Sequence, residues 1–260
     1  LDGDGKEEIV VSEFGNRLGH LSYFKAGTDG QYKEYMLNEF PGAISHYVRD
    51  FDGDGLLDIV AIMGQGREGV FIYYNRGDGS FVESYVVQWP PSYGAAHLSL
   101  VDFDGDGDID LLTSNGDNAD YALTLKRYHG VRLYLNDGQN RFAEAYFFPL
   151  NGAYKAQAAD FDGDGDLDIA AIGFFADYAG SPEEAFVYLE NKGGMRFAPS
   201  TFAGSLKGRW LTMDVGDVDR DGDEDIVLGS FAMGWSNVSP ELEASWRRGP
   251  SVLILKNRRN

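Results

Sequence analysis

Asp50-Phe-Asp-Gly-Asp-Gly-Leu-Leu-Asp58 decides the fold, because the same nine positions return without a gap further along the chain. The copies are Asp102-Phe-Asp-Gly-Asp-Gly-Asp-Ile-Asp110, Asp160-Phe-Asp-Gly-Asp-Gly-Asp-Leu-Asp168 and Asp217-Val-Asp-Arg-Asp-Gly-Asp-Glu-Asp225. A fifth, truncated copy opens the sequence, with Asp2, Asp4 and Glu8 in the matching places. The full copies start at 50, 102, 160 and 217. A repeat of about 54 residues suits a four-stranded propeller blade.

The chain beyond each acidic stretch fits such a blade. Ile59-Val-Ala-Ile-Met63, Leu111-Leu112, Ile169-Ala-Ala-Ile172 and Ile226-Val-Leu228 are short apolar runs, half of their residues β-branched. That is the pattern of a strand covered on both faces. A second strand then ends at Asn75, Asn136, Asn191 and Asn257, and Gly-rich turns at 75–81, 136–142 and 191–197 lead to a third. Gly42-Ala43, Gly94-Ala95 and Gly152-Ala153 open the strand that feeds the next acidic loop. The expected fold is all-β: one β-propeller domain over 1–260, with about five repeats beginning near 1, 50, 102, 160 and 217.

The acidic positions have the spacing of a metal loop. In D-x-D-x-D-G-x-x-D, side-chain oxygens stand at positions 1, 3, 5 and 9 and a backbone carbonyl at 7, a set able to wrap a hard cation that needs 6 to 8 oxygens. Calcium is the ion expected. The predicted ligands are Asp2, Asp4 and Glu8 in the truncated loop, then Asp50, Asp52, Asp54, Leu56 and Asp58. Asp102, Asp104, Asp106, Asp108 and Asp110 come next, then Asp160, Asp162, Asp164, Asp166 and Asp168, and last Asp217, Asp219, Asp221, Asp223 and Asp225. Glycine at position 6 permits the positive φ that turns the loop around an ion. Apolar residues at position 2 (Leu1, Phe51, Phe103, Phe161, Val218) and position 10 are expected to anchor the loop ends. Helical calcium hands are excluded because they require a bidentate glutamate at position 12, where this chain has Ala61, Thr113, Ala171 and Leu228.

Composition sets outer bounds. With 22 basic against 42 acidic residues the net charge is -20, which excludes nucleic-acid binding through a basic face. The 43% apolar content supplies a core, and the absence of cysteine excludes disulfides and thiolate chemistry. No apolar run approaches the roughly 18 residues of a membrane span.

The repeated loop, the strand after it and the N-x-G-x-x-x-F turn resemble FG-GAP/VCBS-type repeats, found in integrin α-subunit propellers and in bacterial surface and secreted proteins. Phe14-Gly15 and the Gly-Ala pairs resemble remnants of the full motif, which points to the bacterial-type branch. The resemblance implies a calcium-stabilised extracytoplasmic propeller acting in protein interaction or adhesion, with these repeats part of a seven- or eight-bladed ring. Carbohydrate binding and polysaccharide cleavage by a lyase or hydrolase are the alternatives.

A protein or glycan partner is expected at the ends of the sheets opposite the acidic loops. There the last three repeats carry extra chain, with 26, 23 and 32 residues between position 9 and the terminal Asn against 17 in the repeats before them. These insertions hold Tyr121, Tyr128, His129, Phe174, Phe175, Tyr178, Trp235, Trp246, Arg247 and Arg248. Tyr121, Tyr128, Tyr178, Trp235, Trp246 and Arg247 are the candidate contacts, since exposed aromatics and arginines make binding hot spots; the bland alternative is that the rings cover the edge of the core. Arg76-Gly77-Asp78 spells an adhesive tripeptide but occupies a hairpin turn. His46, His97, Lys155 and Arg209, placed ahead of the inner strands, are the candidates for a base and charge stabiliser under the lyase alternative.

Overall fold

The computed structural model describes residues 1, 5–15, 17–117, 124–234 and 238–258. Among the described residues, eighteen strands fall into five antiparallel sheets. The first contains β1 (Ile9–Ser12), β2 (Leu21–Ala26) and β3 (Tyr32–Asn38), and the second β4 (Ala43–Arg49), β5 (Asp58–Met63), β6 (Gly69–Asn75) and β7 (Phe81–Gln88). The third is β8 (Ala95–Val101), β9 (Asp110–Asn115), β10 (Gly130–Asn136) and β11 (Phe142–Pro149). The fourth is β12 (Ala153–Ala159), β13 (Asp168–Gly173), β14 (Phe186–Asn191) and β15 (Phe197–Ser200). In the fifth, β16 (Trp210–Gly216), β17 (Asp225–Ser230) and β18 (Val252–Leu255) form three strands, with the helix α1 (Pro240–Arg248) between the last two. Strand order within every sheet is sequential, the up-and-down meander of a propeller blade.

The chain divides into two compact units, Leu1–Ala95 with Asn136–Phe142, and Ala96–Leu135 with Ala143–Asn260. In the first, Leu21, Ala43, Ile59, Ala61, Met63, Phe71 and Tyr73 form the core between the first two sheets. In the second, one cluster joins Leu112, Val131 and Leu133 to Ala156, Ile169 and Leu189, and another joins Ala170, Ile172 and Phe186 to Trp210, Met213 and Leu228. In the second, third and fourth sheets the strand after the acidic loop is deeply buried, with all six residues of β5, β9 and β13 covered, whereas β1 has no buried residue and β17 has three of six. This explains the unalternating apolar runs: both faces pack against neighbours, at about 1.5–3 kcal/mol for each large side chain removed from water. In β9 the pattern is broken by Thr113, Ser114 and Asn115, which are buried all the same.

Gly-Ala pairs open the first strands as expected, and the reason is close approach. A Cβ on Gly152, at φ +58°, would lie 2.4 Å from the Phe175 carbonyl carbon, and one on Gly42 would lie 2.3 Å from the Gly64 oxygen. Two expectations need correction. His46, His97 and Lys155 lie within the first strands rather than ahead of them. His129, placed with the insertion residues expected at the partner-facing ends, is buried and accepts from the Gly152 N–H through Nδ1 at 3.3 Å.

Candidate metal centre

Each of the four complete acidic loops connects the first strand of a sheet to the second, and its backbone is tied before any ion is considered. Position 1 takes two amides: Asp50 accepts from the Gly53 and Gly55 N–H groups at 2.8 and 2.9 Å. Asp102, Asp160 and Asp217 repeat the arrangement. Position 6 has φ between +89° and +97° at Gly55, Gly107, Gly165 and Gly222, a conformation that costs other residues about 1–2 kcal/mol. Position 4 is left-handed too, at Gly53, Gly105 and Gly163, and Arg220 adopts it at φ +66° with the strain of a side chain.

Position 9 sits deeper than the spacing alone indicates. Asp58, Asp110, Asp168 and Asp225 are fully buried. In the second sheet Asp58 accepts from Phe51 N–H at 2.9 Å and from Asn75 N–H at 2.8 Å, joining the start of its loop to the end of β6. Asp225 does the same with Val218 and Asn257. Burial pushes the Asp58 carboxyl above the ordinary aspartate range, the two amides oppose this, and Asp52 and Asp54 raise it further. A cation among these oxygens would remove that repulsion.

The carboxylates converge. One oxygen each from Asp50, Asp52 and Asp58 lie within 4.8 Å of one another, as do those of Asp102, Asp104 and Asp110, of Asp217, Asp219 and Asp225, and of Asp160, Asp162 and Asp164. Oxygens on one calcium ion at 2.3–2.6 Å can be no more than about 5 Å apart, so the donor sets fit. Asp54, Asp106, Asp166, Asp108, Asp221 and Asp223 lie on the same loops but outside these closest groups. Asp2 and Asp4 lie outside the described residues. The Glu8 side chain is buried, and among the described residues its Oε1 has no hydrogen-bond partner.

The Asp160 loop differs for a visible reason. The Tyr188 hydroxyl donates to Asp168 Oδ2 at 2.7 Å, and the Phe161 N–H, whose counterparts bind position 9, donates to the Ala159 carbonyl instead. Position 9 is thus drawn away and position 5 closes the group. The residue three before the terminal Asn is Ile72, Leu133 and Ile254 in the other sheets. Tyr188→Phe is expected to tighten cation binding at this loop by about three- to tenfold, read as the weakest step of a calorimetric calcium titration.

The terminal asparagines add a link that composition does not reveal. Asn75 donates to the Leu57 carbonyl of its own loop and to Leu1, at position 2 of the preceding one. Asn257 likewise joins Glu224 to Phe161. Asn140, four residues after Asn136, reaches Phe51 at 2.9 Å. Loop and neighbouring sheet are therefore one hydrogen-bonded structure. The position 2 anchors hold for Phe103 and Phe161, whereas Val218 is 47% exposed and contributes through its N–H alone.

The profile of the FG-GAP-like repeat matches residues 1–61, 50–113 and 115–171, well over half of the chain. The chain belongs to the FG-GAP-like repeat family. Among curated proteins this FG-GAP-like chain is similar to cartilage acidic protein 1 of Homo sapiens, 29% identical over 210 residues, covering 71% of this chain and 30% of that protein. It therefore spans less than a third of that relative's length. Among solved structures it is similar to a beta-fructofuranosidase of Bombyx mori (TM-score 0.37, 15% identity, 76% of this chain and 47% of that one). It is also similar to the rhamnogalacturonan lyase PL11 of Bacillus licheniformis (TM-score 0.39, 17% identity, 82% and 48%). Likeness at this level carries no substrate.

The proposed contact residues of the FG-GAP-like chain divide. Tyr121 and Trp235 lie outside the described residues. Trp246 is a correction: it is 2% exposed, its Nε1 donates to the Leu206 carbonyl at 3.1 Å, and its ring meets Tyr178 edge-on at 4.9 Å. The Tyr178 hydroxyl donates to the Gly173 and Phe174 carbonyls at 3.1 Å, so that half-buried ring also braces the core edge. Tyr128 is half-buried and Arg247 is exposed, paired with Glu243 at 2.6 Å. Arg209 is a second correction, being 1% exposed, stacked 3.8 Å over Phe174 and donating to Phe174 and Met233 carbonyls. Burial, with Lys155 adding to it, pushes His97 down to about 3, which makes that imidazole a weak general base. Among the described residues no helix is long and apolar enough to cross a membrane.

Proposed function

We propose that this chain is a calcium-stabilised, extracytoplasmic interaction module, forming one propeller domain over 1–260. The observation that carries the reading is the convergence of three carboxylate oxygens in each of four successive loops, always at the same end of a sheet. Loops that supply nearly all the ligands leave little room for substrate on the ion, so the cation's role is structural. Oxygen-only loops of this type are often of modest affinity and suit the millimolar calcium outside the cytoplasm. A protein partner is assigned to the opposite ends of the sheets, where the long connections lie. Cartilage acidic protein 1, an FG-GAP-like relative, is consistent with an extracellular setting.

A glycan array probed with and without chelator, together with an assay for unsaturated sugar ends on acidic polysaccharides, tests this. The reading expects neither retained glycan nor new ultraviolet absorbance. Saturable glycan retention would favour the carbohydrate-binding alternative, and absorbance growth would favour a lyase.

A further inference from the structure

The end of the second unit opposite its acidic loops holds a pocket of about 640 Å³ between the 3-10 turn Ser205–Lys207 and α1. Its walls are fixed from behind. The indoles of Trp210 and Trp246 donate to the Ser205 and Leu206 carbonyls at 2.6 and 3.1 Å. Gly249 lies so close to the Lys207 carbonyl that a Cβ there would stand 2.2 Å from it. α1 is itself well defined: Ser239 caps it by accepting from the Leu242 N–H at 3.2 Å, Pro240 stands in the first turn, and Arg247 and Arg248 complement its carboxyl end. Such a pocket needs little ordering when a ligand enters, and preorganisation of this kind favours affinity.

Its chemistry is opposite to that of the rest of the molecule. In a chain of net charge -20, the pocket is lined by Lys207 and Arg248 and, among the described residues, by no carboxylate. Both cations are exposed, and among the described residues neither has a hydrogen-bond or ion-pair partner. Arg247, by contrast, is held by Glu243. The large side chains of the remaining lining are apolar: Phe202, Leu206, Leu242 and Pro250. Of its two serines, Ser205 is buried and Ser245 already donates to the Leu242 carbonyl at 2.7 Å.

Resting on the interaction-module reading, we propose that this pocket docks an acidic segment of a partner protein, one large apolar side chain entering between Phe202, Leu206 and Leu242 while flanking carboxylates meet Lys207 and Arg248. A sugar chain fits less well, because its hydroxyls would lose water against a wall with few free hydrogen-bonding side chains. Charge complementarity gives the site its selectivity, since the self-repulsion of a chain this acidic disfavours contact with other acidic segments elsewhere on its surface.

The test is a titration of the ¹⁵N-labelled, calcium-saturated chain with a peptide carrying one leucine between two glutamates on each side. Saturable shifts are expected at the amides of residues 204–208 and 242–249, weakened at least about tenfold in the double variant Lys207→Glu/Arg248→Glu and by 0.5 M salt. The variant's Tm should lie within about 2–4 °C of the parent's, since both side chains are exposed and unpaired and the loss is limited to the charge that complements the carboxyl end of α1. Equal affinity for the lysine-flanked counterpart, shifts outside these residues, or a response to oligogalacturonate in place of the peptide would overturn the proposal. Failure of the calcium reading is distinguishable, because it appears as an unchanged Tm on chelation whatever the peptide does.

Discussion

Asp58→Ala lowers stability by about 2–5 kcal/mol, although the substitution is made in a loop. The reason is that this carboxylate is more than a cation ligand. Its loss leaves the buried N–H groups of Phe51 and Asn75 without their acceptor, at about 1–3 kcal/mol each. For a chain of this length the fall in Tm is on the order of 10 °C. Asp54→Ala is the informative partner experiment. Position 5 is exposed and accepts from the Leu56 N–H alone, so in chelator it costs no more than about 1 kcal/mol. Thermal unfolding of both variants, with calcium and with chelator, separates the two contributions: Asp58→Ala stays destabilised without the ion, and Asp54→Ala approaches the parent.

Arg209→Ala is expected to cost about 3–5 kcal/mol, comparable to deleting a large core side chain. The guanidinium lies at 3.8 Å over Phe174 and 5.4 Å from the Phe175 ring centre, and its donors hold the carbonyls of Phe174 and Met233. It ties the connection after β13 to the connection after β17. Arg209→Lys does not restore stability, because an ammonium cannot both stack flat on the ring and fork to two carbonyls. Thermal denaturation of the three proteins checks the order, with alanine and lysine both well below the parent. A lysine variant of parental stability would show that the planar stack contributes nothing.

Much of the fold was legible because the nine-residue loop, the apolar run and the Gly-rich turn recur in register. Period, strand order and the position of each acidic loop are consequences of that recurrence. The site was legible at positions 1, 3 and 6, where residue type and backbone geometry are tightly coupled. Three features escaped. The drawing of Asp168 toward Tyr188 depends on which strand lies beside the loop, and a tyrosine in an apolar column is the only trace it leaves. α1 had a local signature, Ser239-Pro240-Glu241 before it and Arg247-Arg248-Gly249 at its end, that reads as a capped helix with complementary charges. The burial of Trp246 and Arg209 was not legible at all. A tryptophan or arginine in an insertion looks the same whether it faces water or folds back over the sheet edge, and only packing by Tyr178, Phe174 and Phe175 decides.

Calcium stabilisation of the blades is tested most directly by calcium titration of the chelator-stripped chain by calorimetry, with Tm followed at each step. An ion held at 100 times its Kd stabilises by about 2.7 kcal/mol, so four filled loops add on the order of 10 kcal/mol. The expected result is at least four bound ions, a Tm that climbs with calcium and falls on chelation, and little replacement by magnesium, which demands a tighter octahedral site. A stripped chain that takes up no calcium and melts at an unchanged temperature would contradict it.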